Sequence, residues 1–317
     1  MTAHRGYITA HAGTEELGVH SLDHFALTVP DLKVAQSYFA DFGLDVRERG
    51  EGLQLKTCGS EHTWAVVVPG RRKQLHHISF GCYAQDLPRF KQHIERNGVA
   101  LVDPPAGFES NGIWFRDHNG LLLEIGVAEK TSTDHKMSGV WVSSPAGVAG
   151  APIRSKAPTV RPRRMSHMLS FTSDVDKAIA FYSTNLGLRL SDRAGMVGFM
   201  HAIHGSDHHI LAFAHSSGPG IHHSSWDMAR IDDIGLAAMH MADKGHAKGW
   251  GLGRHVLGSN YFHYIQDPWG SFTEYTCDID YIAAGQHWEA GNHAEEDSFY
   301  LWGPKPPEDF VINHEAL

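Results

Sequence analysis

Two rhythms of hydrophobic and polar positions alternate along this chain. From Leu22 the sequence LDHFALTVPDLKVAQSYFADFGLDV opens with a strand-like apolar run. After Asp31 the apolar residues recur every three or four positions, with Tyr38 and Phe39 on the inner stripe, until Gly43. An Asp can accept the free amides of a first helical turn, and Gly can end a helix without Cβ strain, so the segment reads as strand, then helix. The β-branched run Val66–Val68 continues it as strand. A second unit starts at Leu75 (LHHISFGCYAQDLPRFKQHIERNGVAL) and closes with FRDHNGLLLEIGV.

The pattern then returns. MSHMLSFTSDVDKAIAFYSTNLGLRL begins at Met165, and IHHSSWDMARIDDIGLAAMHMADKG at Ile221. His24 to Asp31 is seven residues, as is His167 to Asp174; His24 to Tyr38 is fourteen, as is His167 to Phe181. Asp117 to Glu124 matches Asp267 to Glu274 at seven. The chain is thus an internal repeat of four units in two pairs, about 145 residues apart. One such unit cannot bury a sheet face alone, so paired units are expected to close an open cup. The expected fold is α+β, in two domains at residues 19–127 and 164–276. A polar lead-in (1–18), a connector rich in Ser, Ala, Gly, Pro and basic residues (128–163) and a Trp- and Pro-bearing tail (277–317) flank them, the tail packing on the second domain.

Composition narrows the partners. A net charge of −9 without a basic stripe argues against nucleic acid. No apolar run reaches the length of a membrane span, and the first residues lack a secretory apolar core. Three widely spaced cysteines suit a reducing compartment, so a cytoplasmic location is expected. There are 25 histidines, most of them expected at the surface or in loops, so only their spacing can single any out.

The stretch Gly253–Thr276, GRHVLGSNYFHYIQDPWGSFTEYT, carries the chemistry. Asp267-Pro268-x-Gly270 is a tight turn between aromatic and β-branched runs, which predicts a hairpin with Tyr264 and Glu274 side by side. A buried carboxylate is costly unless it is paired, hydrogen-bonded or bound to a metal, so Glu274 needs partners.

The order Gly253-x-His255, Tyr264, Asp267-Pro268-x-Gly270, Glu274 resembles the signature of the type I extradiol ring-cleavage dioxygenases, of the vicinal oxygen chelate superfamily. His263 departs from it, standing where the pattern has an apolar residue. The resemblance spans about residues 20–127 and 164–276 and implies βαβββ modules. It further implies a metal seat of His167, His223 and Glu274, with His223 rather than His222 as the ligand. Such a two-histidine, one-carboxylate set suits Fe(II), with Mn(II) as the alternative, and leaves positions open for an aromatic diol and O2. His209, within His-x-x-Ala-aliphatic, matches the family's acid–base residue; its neighbour His208 is expected to face solvent across the strand. His255 and Tyr264 match the pair that hydrogen-bonds the bound catecholate.

His201 falls where relatives place a bulky aromatic pocket wall. A hydrogen-bonding residue there leads to the expectation of a single-ring catechol with a further polar group, such as a third hydroxyl, alongside a methyl. The N-terminal half repeats His24, His77 and Glu124, with His62 at the place of His209. The counterpart of His255 falls near Pro105, however, and that of Tyr264 near Trp114. That set is therefore expected to be a relic of duplication, hydrogen-bonded into the core, with residual metal binding as the alternative. The resemblance also implies a homo-oligomer and a tail that helps cover the site. Two rivals share the fold: a glyoxalase-like isomerase using Zn or Ni without O2, and a module that sequesters an aromatic molecule. His209, His255 and Tyr264 speak against the first, the intact triad against the second, and fold alone does not choose between them.

Overall fold

Each repeat unit folds as a strand, a helix and three more strands of the main sheet, and the third unit adds a two-residue strand that pairs elsewhere. The computed structural model describes residues 16–136 and 143–316; most of the lead-in (1–15), part of the connector (137–142) and Leu317 of the tail lie outside the described residues. The first unit is β1 (Ser21–Val29), α1 (Leu32–Asp41), β2 (Asp45–Arg49), β3 (Gly52–Lys56) and β4 (Ala65–Pro69). The second is β5 (Gln74–Cys82), α2 (Leu87–Arg96), β6 (Leu101–Val102), β7 (Ile113–Arg116) and β8 (Leu122–Val127). The third is β9 (Arg164–Thr172), α3 (Val175–Leu186), β10 (Arg189–Ala194), β11 (Val197–His201), a two-residue β12 (Ser206–Asp207) and β13 (Leu211–His215). The fourth is β14 (Gly220–Asp227), α4 (Ile231–Asp243), β15 (Gly249–Arg254), β16 (Tyr261–Gln266) and β17 (Phe272–Cys277). The tail adds β18 (Tyr281–Ile282), β19 (Gly291–His293) and α5 (Glu295–Ser298). Among the described residues no helix is long and apolar enough to cross a membrane.

Each half builds one curved sheet. The N-terminal order is β2-β3-β4-β1-β5-β8-β7-β6, and the C-terminal order is β15-β16-β17-β14-β9-β13-β11-β10-β19. In both, the opening strands of the paired units lie antiparallel at the centre (β1 on β5, β9 on β14), and each is flanked by the parallel closing strand of its own unit. The helix starts follow from the sequence. The Asp31 carboxylate accepts from the amides of Lys33 and Val34, and that of Asp174 from the amide of Lys177. Gly187 ends α3 in the left-handed region at φ 73°, where a Cβ would be strained.

A single apolar cluster runs through both halves, from Phe25 and Phe39 to Phe213 and Tyr275. The seam between the halves is built twice. In one place Phe42, just after α1, stacks on Tyr275 of β17 with centroids 4.0 Å apart, and the Tyr275 hydroxyl donates to the Phe42 carbonyl at 2.8 Å. The hydroxyl of Tyr38 on α1 also reaches Thr273 and the Ile265 carbonyl, on the hairpin of the fourth unit. In the other, Tyr182 on α3 donates to Asp117 in the turn before β8, at 3.1 Å.

The turn joining β16 to β17 sets the register that matters most, pairing Tyr264 with Glu274. Asp267 Oδ1 accepts from the amides of Trp269 (2.8 Å) and Ser271 (3.1 Å), and Gly270 takes φ 102°. A Cβ on Gly270 would also stand 2.5 Å from the ring of His314, so the tail requires glycine there too. Buried Lys73 lies 3.7 Å from Asp267 Oδ2 and 3.3 Å from Glu315 Oε1. Asp267→Ala removes two amide acceptors and half of this buried cation's countercharge. It is expected to cost about 2–4 kcal/mol, read as a lower urea midpoint at unchanged slope.

Candidate metal centre and active site

Three central strands of the C-terminal sheet each bring one ligand-type side chain to the cup. His167 on β9 lies opposite Ser225 of β14, and Ser225 lies beside Glu274 of β17, so one register line carries the first histidine and the carboxylate. His223 on β14 completes the set, in which Glu274 Oε2 lies 3.2 Å from His167 Nε2 and 3.5 Å from His223 Nε2. All three residues are buried, Glu274 completely. Neither Glu274 Oε2 nor His223 Nε2 has a hydrogen-bond partner among the described residues. A buried carboxylate oxygen and a buried ring nitrogen left unsatisfied side by side are a strong demand for a cation.

The surrounding hydrogen bonds fix which nitrogen is free. The Phe310 carbonyl can only accept, so His222 donates to it from Nε2 (2.7 Å) and accepts at Nδ1 from His223 Nδ1–H (2.7 Å). His223 Nε2 then presents a lone pair to the cup. Burial holds His223 well below the ordinary histidine range, and His222 at about 4, so both are neutral. The other carboxylate oxygen, Glu274 Oε1, accepts from Asn260 Nδ2 at 3.1 Å. The donor set fits a divalent transition metal, with bonds behind the ligands of the kind that orient them.

His209 stands at the mouth of β13, its ring 4.1 Å from that of His167. Its Nδ1 lies 3.0 Å from His208 Nδ1, and His208 Nε2 lies 2.8 Å from the Asp192 carboxylate. Asp192 accepts from His208 Nε2–H, and the tautomer in which His208 Nδ1 accepts from His209 leaves the lone pair of His209 on Nε2. His208 is thus a fully buried link between Asp192 and His209, not the solvent-facing neighbour expected. The two histidines precede the strand, which starts at Leu211, so strand alternation does not govern them. Burial, reinforced by the neighbouring imidazoles, keeps His209 well below the usual histidine range.

His255 and Tyr264 lie together at 2.9 Å, His255 Nε2 to the phenol oxygen. The Phe299 carbonyl takes His255 Nδ1–H at 2.8 Å, so Nε2 accepts from the phenol. Burial and the charge of Glu274 push the Tyr264 hydroxyl well above its usual range, and it stays protonated.

His201 is not brought to this cup. It bonds Ser191 Oγ at 2.7 Å and lines a separate cavity with Glu16, Arg189, Ile203 and Gln286. It stands at the far end of β11, paired with Arg189, while Val197 and Phe199 are the β11 residues in the active-site wall. The cup above the ligands is mostly apolar, with Leu169, Val197, Leu257, Phe299 and Phe310 among its walls, and Glu295 and Ser298 add polar groups to its lining. The expectation of a third hydroxyl read by His201 falls with this placement. Sequence reasoning also missed Asn260 and Asp192; it put the tail near the site without singling out Phe299 and Phe310.

The N-terminal half brings His24, His77 and Glu124 together at the pseudo-equivalent place. Its expected relic character is met for Glu124, which accepts from Ser79 and Ser110. It is not met for His77, whose buried Nε2 has no partner among the described residues. His62 bonds the Asp23 carbonyl at 2.9 Å and packs on Trp64.

Comparison with known proteins follows the same line. The profile of the Glyoxalase/Bleomycin resistance protein/Dioxygenase superfamily matches residues 21–125 and 164–275. Metapyrocatechase 2 of Cupriavidus necator is 48% identical over 299 residues, which is 94% of this chain and 93% of the relative. Biphenyl-2,3-diol 1,2-dioxygenase of Metapseudomonas furukawaii is 32% identical, over 93% and 97%. Among solved structures, an extradiol ring-cleaving dioxygenase from B. fuscum superposes with a TM-score of 0.75 at 19% identity, over 94% of this chain and 82% of that one. The fold and the paired modules define a vicinal oxygen chelate protein, and the chain belongs to that superfamily of glyoxalases, bleomycin resistance proteins and dioxygenases. Within it, the chain is a type I extradiol enzyme, a ring-cleaving dioxygenase like catechol 2,3-dioxygenase.

Proposed function

We propose that this enzyme holds Fe(II) on His167, His223 and Glu274 and uses O2 to open a single-ring catechol with an apolar substituent, next to the diol. The supporting observation is the unsatisfied pair of ligand atoms, Glu274 Oε2 and His223 Nε2, on the floor of an apolar cup. Two histidines and a carboxylate with open positions are the donor set of non-haem iron oxygenases, and Mn(II) accepts the same donors. A metal held by His167, His223 and Glu274 would supply Lewis acidity to the diol and redox coupling to O2.

The chain's own groups position the diol and move protons. His209 Nε2 carries a lone pair, so it takes a proton as the diol enters as its anion and returns it to the oxygen that departs when the O–O bond breaks. The Asp192–His208 link holds the imidazole in that tautomer. The Tyr264 hydroxyl gives its proton to His255, so its oxygen is a fixed acceptor beside the seat for a diol hydroxyl. Leu169, Val197, Phe199, Phe299 and Phe310 exclude water and receive the substituent. A hydroxyl placed against this wall would lose its hydrogen bonds to water without replacement, whereas a methyl gains by burial.

The test is oxygen uptake by anaerobically iron-loaded enzyme given catechol, 3-methylcatechol and 1,2,3-trihydroxybenzene, with absorbance of the ring-opened product. The methylated substrate is expected to show the highest kcat/KM. Phe199→Ala is expected to erode its advantage over the trihydroxylated one by about tenfold, the weight of one or two methylenes of lost contact. Turnover of no catechol, or substrate conversion without oxygen uptake, would return the reading to the isomerase.

A further inference from the structure

The duplicated seat in the N-terminal half matches the catalytic one point for point. His24 lies opposite Ser79, and Ser79 beside Glu124, on β1, β5 and β8. The same line in the other half runs His167, Ser225, Glu274. The rings of His24 and His77 stand 5.6 Å apart at 85°, those of His167 and His223 5.4 Å apart at 82°. Each second histidine touches the histidine before it through Nδ1, at 2.8 Å for His76–His77 and 2.7 Å for His222–His223. Each carboxylate accepts from a residue fourteen positions earlier, Ser110 for Glu124 and Asn260 for Glu274.

Drift alone gives no account of two further features. His24 Nδ1 lies 2.7 Å from the Asp23 carboxylate, which can only accept, so His24 carries its proton there and turns the lone pair of Nε2 outward. This carboxylate–histidine arrangement raises ligand basicity. His77, fully buried, has its Nε2 unpartnered among the described residues. A buried acceptor beside a buried carboxylate that is held only by two hydroxyls lacks the cation both would satisfy.

We propose that His24, His77 and Glu124 form a second divalent transition-metal site, one that binds the ion without turning over substrate. Three ligand atoms within 4.8 Å of one another and a mixed nitrogen and oxygen donor set suit Mn(II), Fe(II) or Zn(II). The space a diol would occupy is filled. The Phe108 ring lies 4.8 Å from that of His77, and the Trp114 ring 4.9 Å. Trp114 pairs with Glu124 in the register that Tyr264 holds with Glu274, so an indole replaces the phenol. His24 is partly exposed, which gives the ion a way in from solvent. This site does not depend on the ring-cleavage reading.

The experiment is a metal count on tag-free, chelator-stripped protein, reloaded separately with Mn(II), Fe(II) without air, and Zn(II), then freed of unbound ion. Two ions per chain are expected with at least one of the three. Glu124→Gln and His24→Gln are each expected to hold one, with ring-cleavage turnover per chain unchanged within twofold. Glu274→Ala is also expected to hold one, and its Tm should still rise with metal. In Glu274→Ala combined with Glu124→Gln that rise should vanish. One ion per wild-type chain with all three metals overturns the proposal, as does a double variant that keeps the ion. Because His24→Gln alters a partly exposed side chain, it keeps the test intact should Glu124→Gln fail to fold.

Discussion

Alanine in place of Glu274 is expected to remove one metal equivalent per chain and abolish oxygen uptake with any catechol. The carboxylate is the one acidic side chain in a seat whose other two donors are imidazoles. Without it the ion would sit in a buried site with no countercharge. The stability of the metal-free protein should move the other way. In that state Glu274 is a fully buried carboxylate held by one Asn260 hydrogen bond and by His167 Nε2 at 3.2 Å, contacts that offset only part of its desolvation cost. The variant should therefore melt at or above wild type without metal. It should also lose the gain wild type takes from this site, about 4 kcal/mol at a free ion concentration a thousandfold above Kd. Calorimetry with and without metal, beside elemental analysis, reads both effects. Wild-type metal content together with wild-type turnover in this variant would sink the assignment.

His209→Asn is expected to keep full metal content and bind the diol with a KM within a few-fold of wild type, while kcat falls by about 10²–10⁴, the usual weight of a general acid–base group. Asparagine retains a donor toward His208 but has no site that takes and returns a proton near neutral pH. A shape-only role for His209 would spare kcat in the asparagine variant, so an unchanged kcat moves the proton transfer to another group. Steady-state oxygen uptake with single-turnover absorbance separates chemistry from product release.

Much of this was legible because duplication writes the same geometry twice. The seven-residue spacings found both helix caps, Asp31 and Asp174, before any coordinates. The Asp-Pro-x-Gly turn fixed the facing of Tyr264 and Glu274, and the repeat carried it to Trp114 and Glu124. What escaped has physical reasons. His208 was read as strand, but the alternation rule starts only at Leu211, and the His208 ring turns inward to meet Asp192 from a different strand. His201 lies eight residues before His209, yet β11 runs past the edge of the cup, which Val197 and Phe199 line and His201 does not. Asn260 obeys no apolar period, and its one signal is the fourteen-residue offset shared with Ser110. The tail's contribution through Phe299 and Phe310 rests on long-range packing that no local pattern encodes.

The seam between the halves has a consequence for anyone who wants a smaller catalyst. The hairpin that carries Tyr264 and Glu274 is braced from behind by the first unit, with Tyr38 on Thr273 and Ile265, and Phe42 stacked flat on Tyr275. A gene truncated to the half with His167, His223 and Glu274 would leave the buried faces of Tyr275 and Trp226 open to water, along with the groups that met Tyr38. Ligand spacing set by that hairpin would loosen in the fragment even where every ligand is retained. The half without turnover is therefore the scaffold on which the other half's bond lengths are held, and the two can be inherited, expressed or engineered only as one piece.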